Sequence, residues 1–369
     1  MNKPNRYSPT LKNITHLFCL IIGITFIISG FAKAVDPWGT AIKFEEYFLV
    51  YGLDSMLPLS RILAVWLCGA ELMMGCMVLL RVRLRLISIF ALVSMTIFTI
   101  VTILSVTIFP VEDCGCFGDA FYLTPWQTLI KNLILLPMIV TIWWRYRPDK
   151  IFVFKLREVI VGTVLFVVTM SFSAYNYLHL PLVDFLPYKV GVNLLSEVEA
   201  VTSNLEYTVV LVYRNITSGE LREFTMEDTE WHDSTAWEWV ETRTNLPDRA
   251  FTGSASDFAL LTESGDNVTV ELLSGYKELN IVTVAKFSKL RSRCVKRLEK
   301  FLERADANGE HTIIVTPQSF SATTFTVAGH DIECYNIDAT TLKSIMRASA
   351  GIVEISDGVI ISKRSCIDI

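Results

Sequence analysis

The sequence predicts a membrane-embedded bundle of five helical spans followed by a water-soluble α/β domain, and three observations predict it. Five long apolar runs fall within the first 180 residues. Lys and Arg gather at alternate ends of those runs, and after about residue 206 the hydrophobic period shortens from that of a helix to that of a strand. Bulk composition agrees: of 369 residues 51% are hydrophobic and 19% charged, with a mean hydropathy of +0.42, so part of the surface must face lipid.

The runs cover residues 14–34, 59–80, 85–109, 125–144 and 158–178. Each is close to the ~20 apolar residues that a helix needs to cross about 30 Å of hydrocarbon. Leu, Ile, Val, Phe and Met dominate them, as lipid demands where every backbone group must bond within its own helix. The first run is long for the apolar core of a signal peptide and is read as a span, although Ala32-Lys33-Ala34 imitates a cleavage site.

Sidedness follows from the basic residues. Lys3, Arg6 and Lys12 precede the first span, Arg81, Arg83 and Arg85 separate the second from the third, and Arg145, Arg147, Lys150, Lys155 and Arg157 separate the fourth from the fifth. All three groups belong in the cytoplasm. The expectation is a multi-pass protein of the bacterial inner membrane with a cytoplasmic N-terminus; loops 35–58 and 110–124 and the chain after about residue 180 then lie in the periplasm. Residues 1–180 carry 15 Lys/Arg against 10 Asp/Glu, and the remainder 18 against 28. An acidic soluble half without a basic stripe argues against nucleic acid as a partner, and the apolar spans make the lipid bilayer the expected one.

Beyond residue 206 the elements shorten. Tyr207 to Tyr213, Leu221 to Thr225 and Trp237 to Arg243 read as strands, giving a β-rich extracytoplasmic region over 181–256. Residues 257–280 read as a hairpin turning at Ser264-Gly265-Asp266. Asn280 to Phe287 is a buried-type strand, Ser288 to Ala307 a charged amphipathic helix closed by Asn308-Gly309, and His311 to Thr316 a second buried strand, which makes a βαβ unit. Ile332 to Ile337 is strand-like, Thr340 to Ser349 helical, and residues 352–355 and 359–362 form a hairpin about Ser356-Asp357-Gly358.

That order over about 257–365, with Asp257-Phe258-Ala259-Leu260 ahead of Gly265, resembles thioredoxin-like domains of the peroxiredoxin and periplasmic thiol-reductase branch. The resemblance implies C-x-x-C after the first core strand and a cis-proline before the last hairpin. Here residues 287–294 hold one cysteine, and Ala348-Ser349-Ala350-Gly351 holds no proline, so 257–369 reads as a thioredoxin-like domain lacking C-x-x-C. Cys294, near Arg291, Arg293 and Lys296, is a weak candidate for a single reactive thiol, set against the ordinary reading of a helical cysteine as filling.

Chemistry concentrates in Asp113-Cys114-Gly115-Cys116-Phe117-Gly118-Asp119, at the outer end of the third span. Two cysteines this close, outside the reducing cytoplasm, can be oxidised, and Gly115 permits the kink that so small a ring requires. A strained, accessible disulfide tends to exchange, whereas a structural one usually closes a longer loop. A structural or inert pair is the second reading. Zinc is the third, since two cysteines supply half a tetrahedral site and Asp113 and Asp119 would have to complete it. No metal is expected.

Ser29-Gly30-Phe31-Ala32-Lys33-Ala34-Val35-Asp36-Pro37, Lys43-Phe44-Glu45-Glu46-Tyr47, Glu71-Leu72 and Cys114-Gly115-Cys116-Phe117-Gly118 together resemble the DoxX/MauE family. The resemblance implies a four-span membrane domain over 1–145; the fifth span and linker, over 146–180, lie beyond it. It also implies a layout similar to quinone-coupled disulfide-forming membrane proteins and a link to maturation of disulfide-rich periplasmic enzymes. Quinone is therefore the cofactor to consider, and a periplasmic thiol or disulfide protein the client. The fifth span and fused soluble domain depart from that pattern, so no methylamine substrate is carried over.

Glu71 lies near mid-bilayer, where an ion costs ~2.5 kcal/mol or more, so it must face the bundle interior or be protonated. It is a candidate for proton handling or a structural bond between helices, with Lys131 or Lys33 as partner. Lys33 and Arg61, near span ends, are expected to snorkel. Cys19, Cys68 and Cys76 are read as small hydrophobes, and Met73-Met74 and Trp143-Trp144 as lipid or interface contacts. Two functions stay open: a thiol–disulfide redox component using Cys114 and Cys116, or a non-enzymatic membrane scaffold carrying a degenerate thioredoxin-like domain.

Overall fold

The computed structural model describes residues 9–108, 115–146, 155–204, 208–216, 221–225, 235–245, 258–263, 265–318, 324–327 and 330–369, with residues 218, 230, 233 and 255 singly between them. The chain divides into two compact units, Met1–Leu186 with Met346–Ala348 and Arg364–Ile369, and Pro187–Ile345 with Ser349–Lys363.

In the first unit, helices α1 (Pro9–Val35), α2 (Pro37–Val50), α3 (Ser60–Leu79), α4 (Leu84–Thr107), α5 (Pro125–Tyr146) and α6 (Leu156–Leu178) follow one another. Five stretches are long and apolar enough to cross a membrane: Thr10–Val35, Asp54–Leu79, Leu84–Thr107, Pro125–Tyr146 and Leu156–Leu178. They match the five expected runs. The expected loop 35–58 is instead helical. Asp36 caps α2 by accepting the Gly39 N–H at 2.9 Å, Pro37 supplies a first-turn residue that needs no N–H partner, and a 3-10 turn over Asp54–Leu59 leads into α3.

Small residues set the spacing. A Cβ on Gly75 would lie 2.6 Å from the Ile27 backbone N, and one on Gly30 would strike the Leu72 backbone, so α1 and α3 pack closely only because these positions are glycine. The bundle interior is built from Ile22 and Phe26 of α1, Met77 of α3, Ile87 and Met95 of α4 and Ile139 of α5. Met74 is buried there too, contrary to the expected lipid contact. Helix α6 packs through a polar stripe, with Ser173 donating to the Val65 carbonyl at 3.1 Å. Thr124 and Gln127 bond reciprocally, Thr124 N–H to Gln127 Oε1 at 3.0 Å and Gln127 N–H to Thr124 Oγ1 at 3.3 Å, a capping box that fixes where α5 begins.

The second unit opens with α7 (Leu194–Asn204) and a three-stranded antiparallel sheet of β1 (Thr208–Asn215), β2 (Leu221–Thr225) and β3 (Trp237–Asn245), in the order β2-β1-β3. Then come α8 (Thr269–Gly275), β4 (Glu278–Val284), α9 (Ser292–Asn308), β5 (His311–Thr316), β6 (Thr324–Val327), β7 (His330–Asn336), α10 (Ala339–Ile345), β8 (Ala350–Ser356) and β9 (Val359–Ser365). Strands β4 to β9 form a mixed sheet, β6-β7-β5-β4-β8-β9. Parallel β4 and β5 are joined through α9, as the βαβ reading requires, and β8 and β9 make the closing hairpin.

Helix α9 buries Leu298, Phe301, Leu302 and Ala305, spaced i, i+3, i+4 and i+7, and stops at Gly309, whose φ of 72° closes it. The sheet face it covers carries Val282, Val284 and Ile314, which line one small cavity with Leu298 and Leu302. The expected hairpin over 257–280 forms only a single bridge, Leu261 to Asn267, before the chain turns into α8. Thr269 decides this: its hydroxyl accepts the Leu260 N–H at 2.7 Å, anchoring a helix start where alternation alone suggested a strand.

Candidate functional site

The described part of the C-G-C segment begins at Gly115; Cys114 and Asp113 lie outside the described residues. Gly115 and Gly118 hold φ of 62° and 56°, and the Gly118 N–H bonds the Gly115 carbonyl at 3.2 Å, so the turn depends on residues tolerant of the left-handed region. Cys116 is a free, half-buried thiol at this turn.

Beneath it sits a buried polar cluster. Lys33 Nζ contacts Glu71 Oε2 at 2.5 Å, with the two side chains 5% and 6% exposed. Lys33 therefore does not snorkel. Proximity to a carboxylate one helix away outweighs the short reach to the bilayer surface, because an unpaired Glu71 would be the costlier charge. Of the two partners considered for Glu71, Lys33 makes the contact, while Lys131 lies over the Phe117 ring at 4.7 Å. Ser29 Oγ is 2.5 Å from Glu71 Oε1 and 2.6 Å from the Cys116 carbonyl. Cys116 and Cys68 both lie within electrostatic reach of Lys33.

The cluster forms one wall of a cavity of about 250 Å³ reached by α1 to α5. Phe44, Phe48, Phe98 and Leu135 supply apolar surface, and Ser29, Lys33, Glu71, Cys116 and Asn132 the polar points. Asn132 was not singled out from sequence. The signal was present: Thr128, Asn132, Leu135 and Ile139 recur on one face of α5, which puts the amide on the buried side.

A second ionic group sits nearby in the same unit. Arg347 bonds Asp36 from Nε at 2.8 Å and Asp119 from Nη2, and all three side chains are largely buried. Burial pushes the Asp36 carboxyl up and Arg347 pulls it down; with Asp119 sharing the same guanidinium, the net direction is up. A Cβ on Gly39 would fall 2.8 Å from Asp119 Oδ2, so a larger residue there would make the carboxylate shift. No local pattern reveals partners 311 positions apart.

The soluble cysteines behave differently. Cys294, the weak candidate for a lone reactive thiol, is disulfide-bonded, as is Cys366. Cys334 is free but buried in β7, and burial pushes its thiol up to about 12. Among the described residues no group of three or more His, Cys, Asp and Glu could hold a metal ion.

The family described as methylamine utilisation protein MauE matches residues 11–145, the stretch that carries α1 to α5 and the C-G-C turn. Over residues 11–145 the chain is similar to MauE. The MauE-like bundle is followed by residues 207–248, which match a domain of unknown function (DUF8463). Protein TlpB of Flavobacterium psychrophilum is 33% identical over 134 residues, 34% of this chain and 35% of that protein. The chain thus covers about a third of that relative's length. No solved structure matches the chain.

Proposed function

We propose that this chain is a thiol–disulfide redox component of the bacterial inner membrane, in which Cys114 and Cys116 exchange with the thiols of a periplasmic client. The observation that carries the reading is the Lys33–Glu71–Ser29 cluster, which ends on the backbone carbonyl of Cys116. Thiol exchange needs a proton removed from an attacking sulfur and returned to a leaving one. Glu71, neutralised by Lys33 and linked through Ser29 to the cysteine turn, is the group assigned to that traffic.

The exchange balances with no further reagent. A client thiolate attacks one sulfur of the Cys114–Cys116 disulfide, forming a mixed disulfide and releasing the other sulfur as a thiolate that takes up a proton. The client's second thiolate then displaces the remaining sulfur. The client leaves as a disulfide, and Cys114 and Cys116 are left as two thiols. In this reading the thioredoxin-like order of residues 257–369 serves to recruit the client, since it carries no C-x-x-C.

The test is trapping in native membranes. Because exchange is reversible, Cys114 in a Cys116→Ser variant can attack a client already in its disulfide form, the reverse of the step above, and with no Cys116 thiol to resolve the product adducts should accumulate on non-reducing gels. The double variant Cys114→Ser/Cys116→Ser should show none and should lose oxidation of an added dithiol peptide. Full biological activity in that double variant would end the redox reading and leave a non-enzymatic scaffold.

A further inference from the structure

The geometry points to a binding site for the headgroup of a membrane quinone in the cavity beside Cys116, with Asn132 as a recognition residue; this rests on the thiol–disulfide reading above for what the quinone does there. A protein that oxidises clients must pass on two electrons and two protons for each disulfide it regains. Three features of the cavity fit one class of acceptor.

The first is access. Ile97, 55% exposed on a spanning helix, and Leu53, 42% exposed beside another, both line the cavity, so its mouth opens on apolar surface that faces lipid. A ligand dissolved in the bilayer can enter sideways, whereas a polar metabolite would have to cross that apolar rim. At about 250 Å³ the space falls just below the ~300–1,000 Å³ of a drug-sized ligand, so it takes a substituted ring and leaves a long apolar tail to run out into lipid.

The second is an orphaned donor. Asn132 is 1% exposed, lines the cavity, and its Nδ2 has no hydrogen-bond partner. An unmade hydrogen bond at a buried amide costs about 1–3 kcal/mol, which an acceptor on a ligand removes. A quinone oxygen is such an acceptor.

The third is charge. Lys33 and Glu71 cancel, Lys43 contacts Glu46 at 3.1 Å, and Lys131 rests over Phe117. Two of the three lysines lining the cavity are thus paired with carboxylates, which leaves less net positive charge to draw an anionic phospholipid headgroup. Flat aromatic rings from Phe44, Phe48 and Phe98 complete walls suited to a neutral planar ligand. The step then balances: the Cys114 and Cys116 thiols lose two electrons and two protons and become a disulfide, and the quinone gains both and leaves as a quinol.

The experiment uses full-length protein carrying Cys114→Ser and Cys116→Ser in nanodiscs, so that binding is read without thiol chemistry. Decylubiquinone should bind saturably, raising the melting temperature and protecting α4 and α5 from labelling by a photoreactive azidoquinone. Adding Asn132→Leu should weaken that binding at least tenfold. Its melting temperature without ligand should not fall, because the orphaned amide is gone. Absence of saturable binding, an unchanged affinity in the Asn132→Leu variant, or displacement of the azidoquinone by anionic phospholipid alone would each overturn the site. If the double-Ser protein binds decylubiquinone yet keeps full biological activity, the cavity stands as a quinone site and the thiol role falls.

Discussion

The two units use buried polarity in opposite ways. The membrane bundle places an ammonium, a carboxylate and a hydroxyl in contact within an apolar interior, beside a free cysteine. The α/β unit buries an aliphatic core of Ile, Val and Leu, and of its cysteines Cys294 is bonded while Cys334 is held as a thiol by burial. Burying an ion pair rarely gains stability over apolar packing, so its presence in the bundle speaks for function, whereas the α/β core needs no explanation beyond the hydrophobic effect.

The sharpest way to break this contrast is to separate the ion pair. Glu71→Leu strands the Lys33 ammonium among apolar side chains and should cost about 3–5 kcal/mol. Lys33→Met combined with Glu71→Leu should recover most of that loss, because a well-packed apolar pair avoids the desolvation cost. Thermal melts of the full chain in detergent decide it; equal stability of the single variant and the wild type would mean that the pair is hydrated.

Cys294→Ser tests the other side. Losing the disulfide should lower stability by about 2–4 kcal/mol, while dithiol oxidation continues unchanged. If oxidation stops, the soluble unit relays electrons and the contrast fails.

Helix contact comes next in size. Gly30→Val drives a side chain into the Leu72 backbone and should cost about 1–3 kcal/mol. Gly162→Ala, whose added methyl meets nothing nearer than 3.7 Å, should melt like the wild type.

The smallest effect belongs to His311 in the α/β unit. Burial lowers its pKa below the ordinary 6.5, against an opposing pull from Glu333. Its contribution to stability is therefore complete above pH 6.5 and is lost as pH falls below that value towards the folded pKa, because the unfolded chain takes up the proton first. His311→Phe, which keeps a ring against Tyr276, should flatten the stability profile over that acidic range. An unchanged profile would assign the acid sensitivity to other groups.

Much of the architecture is legible in the chain. The five spans need only counting of apolar residues, since lipid leaves a helix no other way to satisfy its backbone. The β4–α9–β5 order follows from a period that switches from strand to helix and back, with Gly309 marking the stop. Helix α2 was missed because its aromatic and acidic residues have neither a clean stripe nor a spanning length, and the Asp36 cap that starts it reads equally well as a loop. Met74 was misjudged because within a span one face meets lipid and the other meets protein, and both are apolar.

By itself, the sequence determined which segments are apolar enough to enter the membrane, the strand–helix–strand succession at the start of the mixed sheet, and that Glu71 must face the bundle interior or carry a proton. Those properties are local, set by periodicity and by the cost of charge in hydrocarbon. Only the tertiary structure decided that the partner is Lys33, that Ser29 reaches the Cys116 carbonyl, that Asn132 faces a cavity, and that Arg347 meets Asp36 and Asp119. Each of these depends on which helix faces approach one another. That choice is fixed by packing at small residues such as Gly30 and Gly75, whose consequences lie dozens of residues away from the glycines themselves.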